Sequence, residues 1–266
     1  MTRAELKRKS KEQIQGHIPK LFLCTLVSNI LSSLYIFSGI VDINRLPQIL
    51  NLDTSLINNF VSKYNNILAK HQAIFSIISI FSFIIFPAVC YSLSKALLCT
   101  VRNKEFTIKD FFKNICDVSI IKKSFLLSIL RSIYIFSLAL LFMLLEFIAI
   151  AFILSRISPQ GTPIGLITLI FIIPILIINI YIIGIPYSMH YYILIDNPDM
   201  TAKEVLKESK SIMQGHKLSY IILQLSFIGW LFLNAVTLGL VTIYSEPYYR
   251  ATITNFYEDI KQHKNF

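Results

Sequence analysis

The sequence predicts an all-α, polytopic transmembrane helical bundle, and uncharged length is the main reason. Residues 21–41, 164–195 and 218–244 carry no Asp, Glu, Lys or Arg. About 18–20 such residues cross the hydrocarbon of a bilayer at roughly 1.5 Å rise each. Residues 73–98 and 124–154 add two more apolar runs, interrupted only by Lys95, Arg131 and Glu146. Charge supply agrees. Only 15% of the 266 residues are charged and 55% are hydrophobic, against about 25% charged in a soluble domain.

Orientation follows from the connecting segments. Lys and Arg number 6, 3, 6, 1 and 4 in residues 1–20, 42–72, 99–123, 155–163 and 196–217. The positive-inside bias then puts the N-terminus in the cytoplasm of a plasma-membrane protein. No cleavable leader is expected, because polar and amphipathic residues precede the first apolar run and no small-residue cleavage site follows it.

Taken in order, the first element is an amphipathic helix with Leu6, Ser10, Ile14 and Ile18 at fourfold spacing, followed by the span 21–41. Residues 54–70 read as a helix on the outer surface, with apolar side chains at 56, 57, 60, 61, 64, 67 and 68 and asparagines opposite. The second span, 73–98, returns inside. Thr107 to Asp110 forms a capping box ahead of Ile108, Phe111, Phe112 and Ile115. Span three follows over 124–154. The next uncharged run extends about 48 Å if straight, so Pro174, Gly184 and Pro186 must break or kink it. Thr201 to Glu204 is another capping box, with Ala202, Val205, Leu206, Ser209, Ile212 and Met213 on one face and Gly215 as a helix stop. The fifth span ends near Tyr244. A turn at Gly239 and a sixth helix from residue 240 to about 259 brings the basic tail back inside. The alternative is five spans with the tail outside. Apolar face down and lysines up is how each cytoplasmic helix would lie on anionic lipid.

An internal repeat supports this plan. Ser10, Lys11, Gln15, Gly16 and His17 recur as Ser209, Lys210, Gln214, Gly215 and His216 at a constant offset of 199, and Glu5 matches Glu204. The return helices also rhyme, with Pro87, Pro186 and Pro247 each ahead of aromatic and small polar residues. The reading is a single membrane domain, 1–266, of three parallel hairpin repeats: 1–98, 105–195 and 201–266, each preceded by a cytoplasmic amphipathic helix.

The segments Pro186 to Met189, Asp196 to Pro198, Ser209 to Lys217, Ser226 to Trp230 and Pro247 to Thr252, with Phe256 to Asp259, carry a family resemblance. The chain resembles the bacterial integral membrane proteins grouped as domain-of-unknown-function family 975. The opening from Glu5 to Gly16 also fits. The resemblance implies a polytopic plasma-membrane protein of mainly Gram-positive bacteria and implies no activity. Helix four departs from the pattern, with Gly184-Ile185-Pro186 where a Pro-Gly-Ile-like turn is expected.

Candidate chemistry is sparse. Glu146 is an ionisable residue inside a span, a functional candidate by default and otherwise structural glue. Glu246 and Arg250 form an i,i+4 pair if the sixth helix exists. His190, between aromatic neighbours, is a candidate proton carrier or part of an interfacial belt. Arg131 and Lys95 read as snorkelling cations. His17, His216, Lys20 and Lys217 are candidate headgroup contacts. The net charge of +10 points to anionic headgroups as partner, and no module for nucleic acid accompanies it. Cys24, Cys90, Cys99 and Cys116 lack disulfide or metal spacing, and no cofactor or catalytic motif is present. The sequence thus implies a non-enzymatic membrane protein that engages lipid or a membrane partner. Protection against membrane-active peptides is a sub-hypothesis, motivated only by small size, positive charge and lack of catalytic groups. A small permease or channel using Glu146 and the kinked fourth helix is the alternative.

Overall fold

Apolar stretches without a breaker become long helices, and here they do so almost without interruption. The computed structural model describes the backbone of residues 1–40, 55–157 and 164–264, and the side chains of 1–32, 77–149 and 174–263. It is all-α, 85% helical, with no strand among the described residues. The helices are α1 (Arg3–Ile14), α2 (Ile18–Ile40), α3 (Ser55–Val101), α4 (Ile108–Cys116), α5 (Val118–Ile157), α6 (Ile164–Gly184), α7 (His190–Asp196), α8 (Ala202–Ile212), α9 (Lys217–Leu225), α10 (Ile228–Val236) and α11 (Thr242–Lys264). A 3-10 turn, Ile185–Tyr187, joins α6 to α7.

The three short helices of the basic segments start as their sequences dictate. Thr2 and Glu5 satisfy each other's backbone N–H groups at the head of α1, and Thr201 and Glu204 do the same for α8. At α4 the Asp110 carboxylate accepts from the Thr107 N–H at 3.0 Å. The Asp110, Glu5 and Glu204 carboxylates are held below their ordinary values by these threonine partners. Both Gly16 and Gly215 adopt left-handed backbone, at φ +85° and +83°, just past α1 and α8. That conformation ends a helix and suits glycine.

The apolar stripes of α1 and α8 are covered by protein, contrary to the expectation, whereas that of α4 is covered only in part, with Phe112 47% exposed. Leu6, Ser10 and Ile14 of α1 are buried, as are Val205, Leu206, Ser209 and Ile212 of α8 and Phe111 and Asn114 of α4. Helix α1 packs on α11 and α3, α4 on α3, and α8 on α7 and the 3-10 turn. Polar groups on or beside these stripes find protein partners. Asn255 donates to Ser10 Oγ (2.9 Å) and to Gln13 Oε1 (2.6 Å), Ser92 donates to the Phe111 carbonyl (2.9 Å), and Ser209 to the Pro186 carbonyl (2.9 Å). The lysines on the opposite faces, among them Lys11, Lys109, Lys113, Lys207 and Lys210, stay exposed.

The core sits where these short helices gather. Ala88, Leu93, Leu97 and Leu98 of α3, Ile193 of α7, Met213 after α8 and Ala251, Tyr257 and Ile260 of α11 are all buried there. The far halves are bare. Ile77, Ile80, Phe81, Phe136, Leu141, Ile148, Ile177, Leu231 and Phe232 are large, apolar and exposed.

Four helical stretches are long and apolar enough to cross a membrane among the described residues: Ile77–Val101, Val118–Ala149, Pro174–Asp196 and Lys217–Val236. Six were expected. Side chains of α2 are described only over its first part, where Ile18–Ser32 forms a shorter apolar helix. Helix α11 falls out for a physical reason: Glu246, Arg250, Asn255, Glu258 and Asp259 make it too polar. It is nonetheless well enclosed, with Ala251, Thr252, Thr254 and Asn255 at 0% exposure.

Three further expectations change. The surface helix over 54–70 and the span after it are one helix, Ser55–Val101, about 70 Å long. Nothing between residues 68 and 73 is a Gly or Pro that would break it. Part of the notional outer loop, 42–53, lies outside the described residues. The fifth run is not one helix but two, because the backbone turns at Ser226–Phe227 between α9 and α10. Lys7 of α1 donates to the freed Ser226 carbonyl (3.0 Å) and lies 4.3 Å from the Phe227 ring centre. The fourth run breaks as anticipated at Gly184 and Pro186, whereas Pro174 remains inside α6. The turn at Gly239 and the returning helix are present, although that helix starts at Thr242.

Candidate functional site

Sequence reasoning named several polar residues inside the apolar helices, and the structure distributes them. Glu146 of α5 accepts from Asn179 Nδ2 of α6 at 2.6 Å, and its Oε2 is buried without a partner. This pairing clamps α5 to α6. Glu246 and Arg250 form the i,i+4 ion pair, at 2.7 Å, beside a cavity of about 390 Å³ that Gln224, Trp230 and Tyr249 also line. His190 is buried. Its Nδ1 donates to the Tyr187 carbonyl at 2.6 Å, and its ring lies 4.0 Å from that of Tyr191. Among the described residues, no hydrogen bond or ion pair links Glu146, His190 and the Glu246–Arg250 pair to one another. They do not form one constellation.

His17 and His216 occupy matched places after their glycines. His17 is exposed and His216 half-buried, while Lys20 and Lys217 are exposed beside them. The crevice between His17, Lys20 and Lys104 holds about 20 Å³, too little to enclose a phosphate.

Two features escaped the sequence. The first is a charge cluster that ties three helix ends together. Arg102, just past α3, makes two bonds to Asp196 at the end of α7, at 2.7 and 2.9 Å. The same guanidinium reaches Glu258 of α11 at 2.6 Å. Asp196 also accepts from Lys261 Nζ (2.6 Å) and from the Tyr257 hydroxyl (2.8 Å). The Asp196 and Glu258 contacts raise the Arg102 guanidinium above its ordinary value, so it stays charged. Asp196 and Glu258 stood in the family-like segments, but no spacing rule joins residues 102, 196 and 258.

The second feature is a groove of about 940 Å³ between α5, the end of α6 and α9. Arg131 lies at its polar end with Ser188, Tyr220 and Gln224, and Ile133, Phe136 and Leu140 form its apolar wall. Arg131 itself is half-buried. Its Nε is buried without a hydrogen-bond partner. Gly184 lies beside it: a Cβ there would make only ordinary contact, 3.9 Å from Arg131 Nη2 and 3.6 Å from Ile135 Cδ1.

Long apolar helices and bare apolar flanks define an α-helical protein of membrane type. The chain belongs to the family described as protein of unknown function (DUF975), whose model matches residues 1–264. No curated protein and no solved structure matches it.

Proposed function

We propose that this is a bacterial plasma-membrane protein with a cytoplasmic N-terminus, a non-enzymatic bundle whose work is to engage anionic lipid or a membrane partner. The observation that carries the reading is the nakedness of α5. Within Val118–Ala149, only 6% of the 18-residue apolar window is buried within the chain. A helix this apolar is stable only where lipid or another apolar helix covers it. The charged, capped end supplies lysines at the height of acidic headgroups.

The same reading takes α2, α3, α5, α6–α7, α9–α10 and α11 as six crossings in three hairpins. Arg102, Asp196, Glu258 and Lys261 meet at one end, which supports an even number of crossings between Arg102 and Glu258. The polar helix α11 suits the bundle centre, where neighbours satisfy its side chains. The matched capping boxes, buried serines and left-handed glycines of α1 and α8 favour an internal repeat.

Purification in mild detergent with analysis of retained lipid tests the function. Retained anionic lipid, or a recovered membrane partner, is expected. A chain that stays monodisperse in detergent-free buffer overturns it. Topology is tested by placing one cysteine at Lys264 in a background without Cys24, Cys90, Cys99 and Cys116. Labelling from outside the cell removes the sixth crossing.

A second reading, a small permease, is favoured by the broken α6–α7 junction beside the groove, since broken helices line transporter sites. Solute flux in liposomes that is lost in Glu146→Gln supports it. The protective sub-hypothesis is tested by a deletion strain: unchanged sensitivity to membrane-active peptides removes it.

A further inference from the structure

We propose that the groove between α5, α6 and α9 binds one anionic phospholipid, its phosphate held by Arg131 and an acyl chain laid along Ile133, Phe136 and Leu140. This rests on the reading that the protein engages lipid, and it names the place and the chemistry.

The cation comes first. Arg131 carries the only charge among the described residues lining the groove, and its buried Nε has no partner. No carboxylate among the described residues pairs with it. Glu146, on the same helix, is fifteen residues on and bonded to Asn179. A half-buried guanidinium with an unpartnered Nε and no counter-charge is unfavourable. Its planar fork matches two phosphate oxygens, and a phosphodiester supplies the missing charge.

Depth comes second. Arg131 lies eight residues beyond Lys123, about 12 Å along α5. Across the groove, Tyr220 and Gln224 precede Ser226, whose carbonyl the Lys7 ammonium reaches at 3.0 Å. Burial pushes the Lys7 ammonium below its ordinary value. An ammonium anchored there sets the polar end of the groove at headgroup level, about two turns inside the basic helix ends.

Shape and selectivity follow. Ile133, Phe136 and Leu140 are 56%, 68% and 47% exposed, so the wall opens sideways to hydrocarbon rather than to water. A lipid can slide in, whereas a soluble anion would have to cross apolar surface. The volume lies near the top of the range for ligand pockets, about 300–1,000 Å³. A zwitterionic lipid brings its own ammonium towards Arg131, with no carboxylate described there to receive it. An anionic headgroup brings none.

The test reads the groove directly. Trp230 is the only tryptophan. Leu140→Trp in a Trp230→Phe background reports on the acyl wall. The protein is reconstituted into vesicles of brominated phosphatidylglycerol or brominated phosphatidylcholine mixed with the unbrominated partner, and quenching gives relative binding at this position. Preference for phosphatidylglycerol of about fivefold is expected. It should vanish in Arg131→Gln, persist in Arg131→Lys and persist in Lys217→Gln. Equal quenching by both lipids overturns the proposal even without a further variant, as does a preference that survives Arg131→Gln. If lipid still co-purifies after either result, the site is wrong and the wider lipid-engaging reading stands. If no lipid co-purifies, both fall.

Discussion

Asp196 is the keystone of the charge cluster, and Asp196→Ala measures what the cluster contributes. The carboxylate accepts four hydrogen bonds, two from Arg102, one from Tyr257 and one from Lys261. Its side chain is only 8% exposed, against 27% for Arg102 and 38% for Lys261. Removing one member of a buried charge pair costs about 3–5 kcal/mol, because the partner is stranded. Here Arg102 keeps Glu258 and Lys261 rehydrates, so the lower end applies, about 3 kcal/mol. For a chain of this size that is a fall in Tm of roughly 6–12 °C. Lys261→Ala, at the exposed rim, should cost no more than about 1 kcal/mol. Scanning fluorimetry of the detergent-solubilised protein, read through Trp230, compares the two. An Asp196→Ala protein within about 2 °C of wild type, or a Lys261→Ala protein equally impaired, refutes the keystone role.

Other outcomes follow from the same geometry. Gly16→Ala and Gly215→Ala should each lower stability by about 1 kcal/mol through backbone strain alone, since a Cβ at either place meets nothing within 4 Å; equal Tm values would show that the helix stops do not need glycine. Ser209→Ala leaves the Pro186 carbonyl without its donor and should cost about 1–2 kcal/mol, with faster hydrogen exchange at α7 as the local sign. Glu5 and Glu204 are held below the ordinary glutamate value of 4.5. A depressed value in the folded state means that these caps stabilise above that value and are lost as pH falls through the lower, folded one. Between about pH 6 and about pH 3 wild type should therefore lose more stability than Glu5→Gln/Glu204→Gln, and parallel curves would remove the caps from the acid response.

Local signals in the sequence carried far, because they depend on neighbours a few residues away. The Thr201–Glu204 cap, the helix stop at Gly215 and the stripe Leu6, Ser10, Ile14 on one face of α1 form as their spacing requires. So does the break at Gly184 and Pro186. What escaped depends on distance in space. Periodicity finds an apolar stripe but does not say whether lipid or protein covers it, and here α11, α3 and α7 do. The joining of Arg102, Asp196 and Glu258 spans 156 residues, and the groove exists only once α5, α6 and α9 are packed. The fusion of 54–70 with the following span was hidden because an amphipathic pattern and an apolar one can share a continuous helix when no breaker separates them.

One contact has a consequence for how the molecule is made. Asn255 meets Ser10 and Gln13 across 245 and 242 residues. A ribosome working at about 5–20 residues per second finishes α1 more than ten seconds before α11 emerges. For that interval Ser10 and Gln13 have no Asn255 to bond, and of the two helices that α1 packs on only α3 has been made. Helix α1 thus gains its last partners only when the final helix arrives.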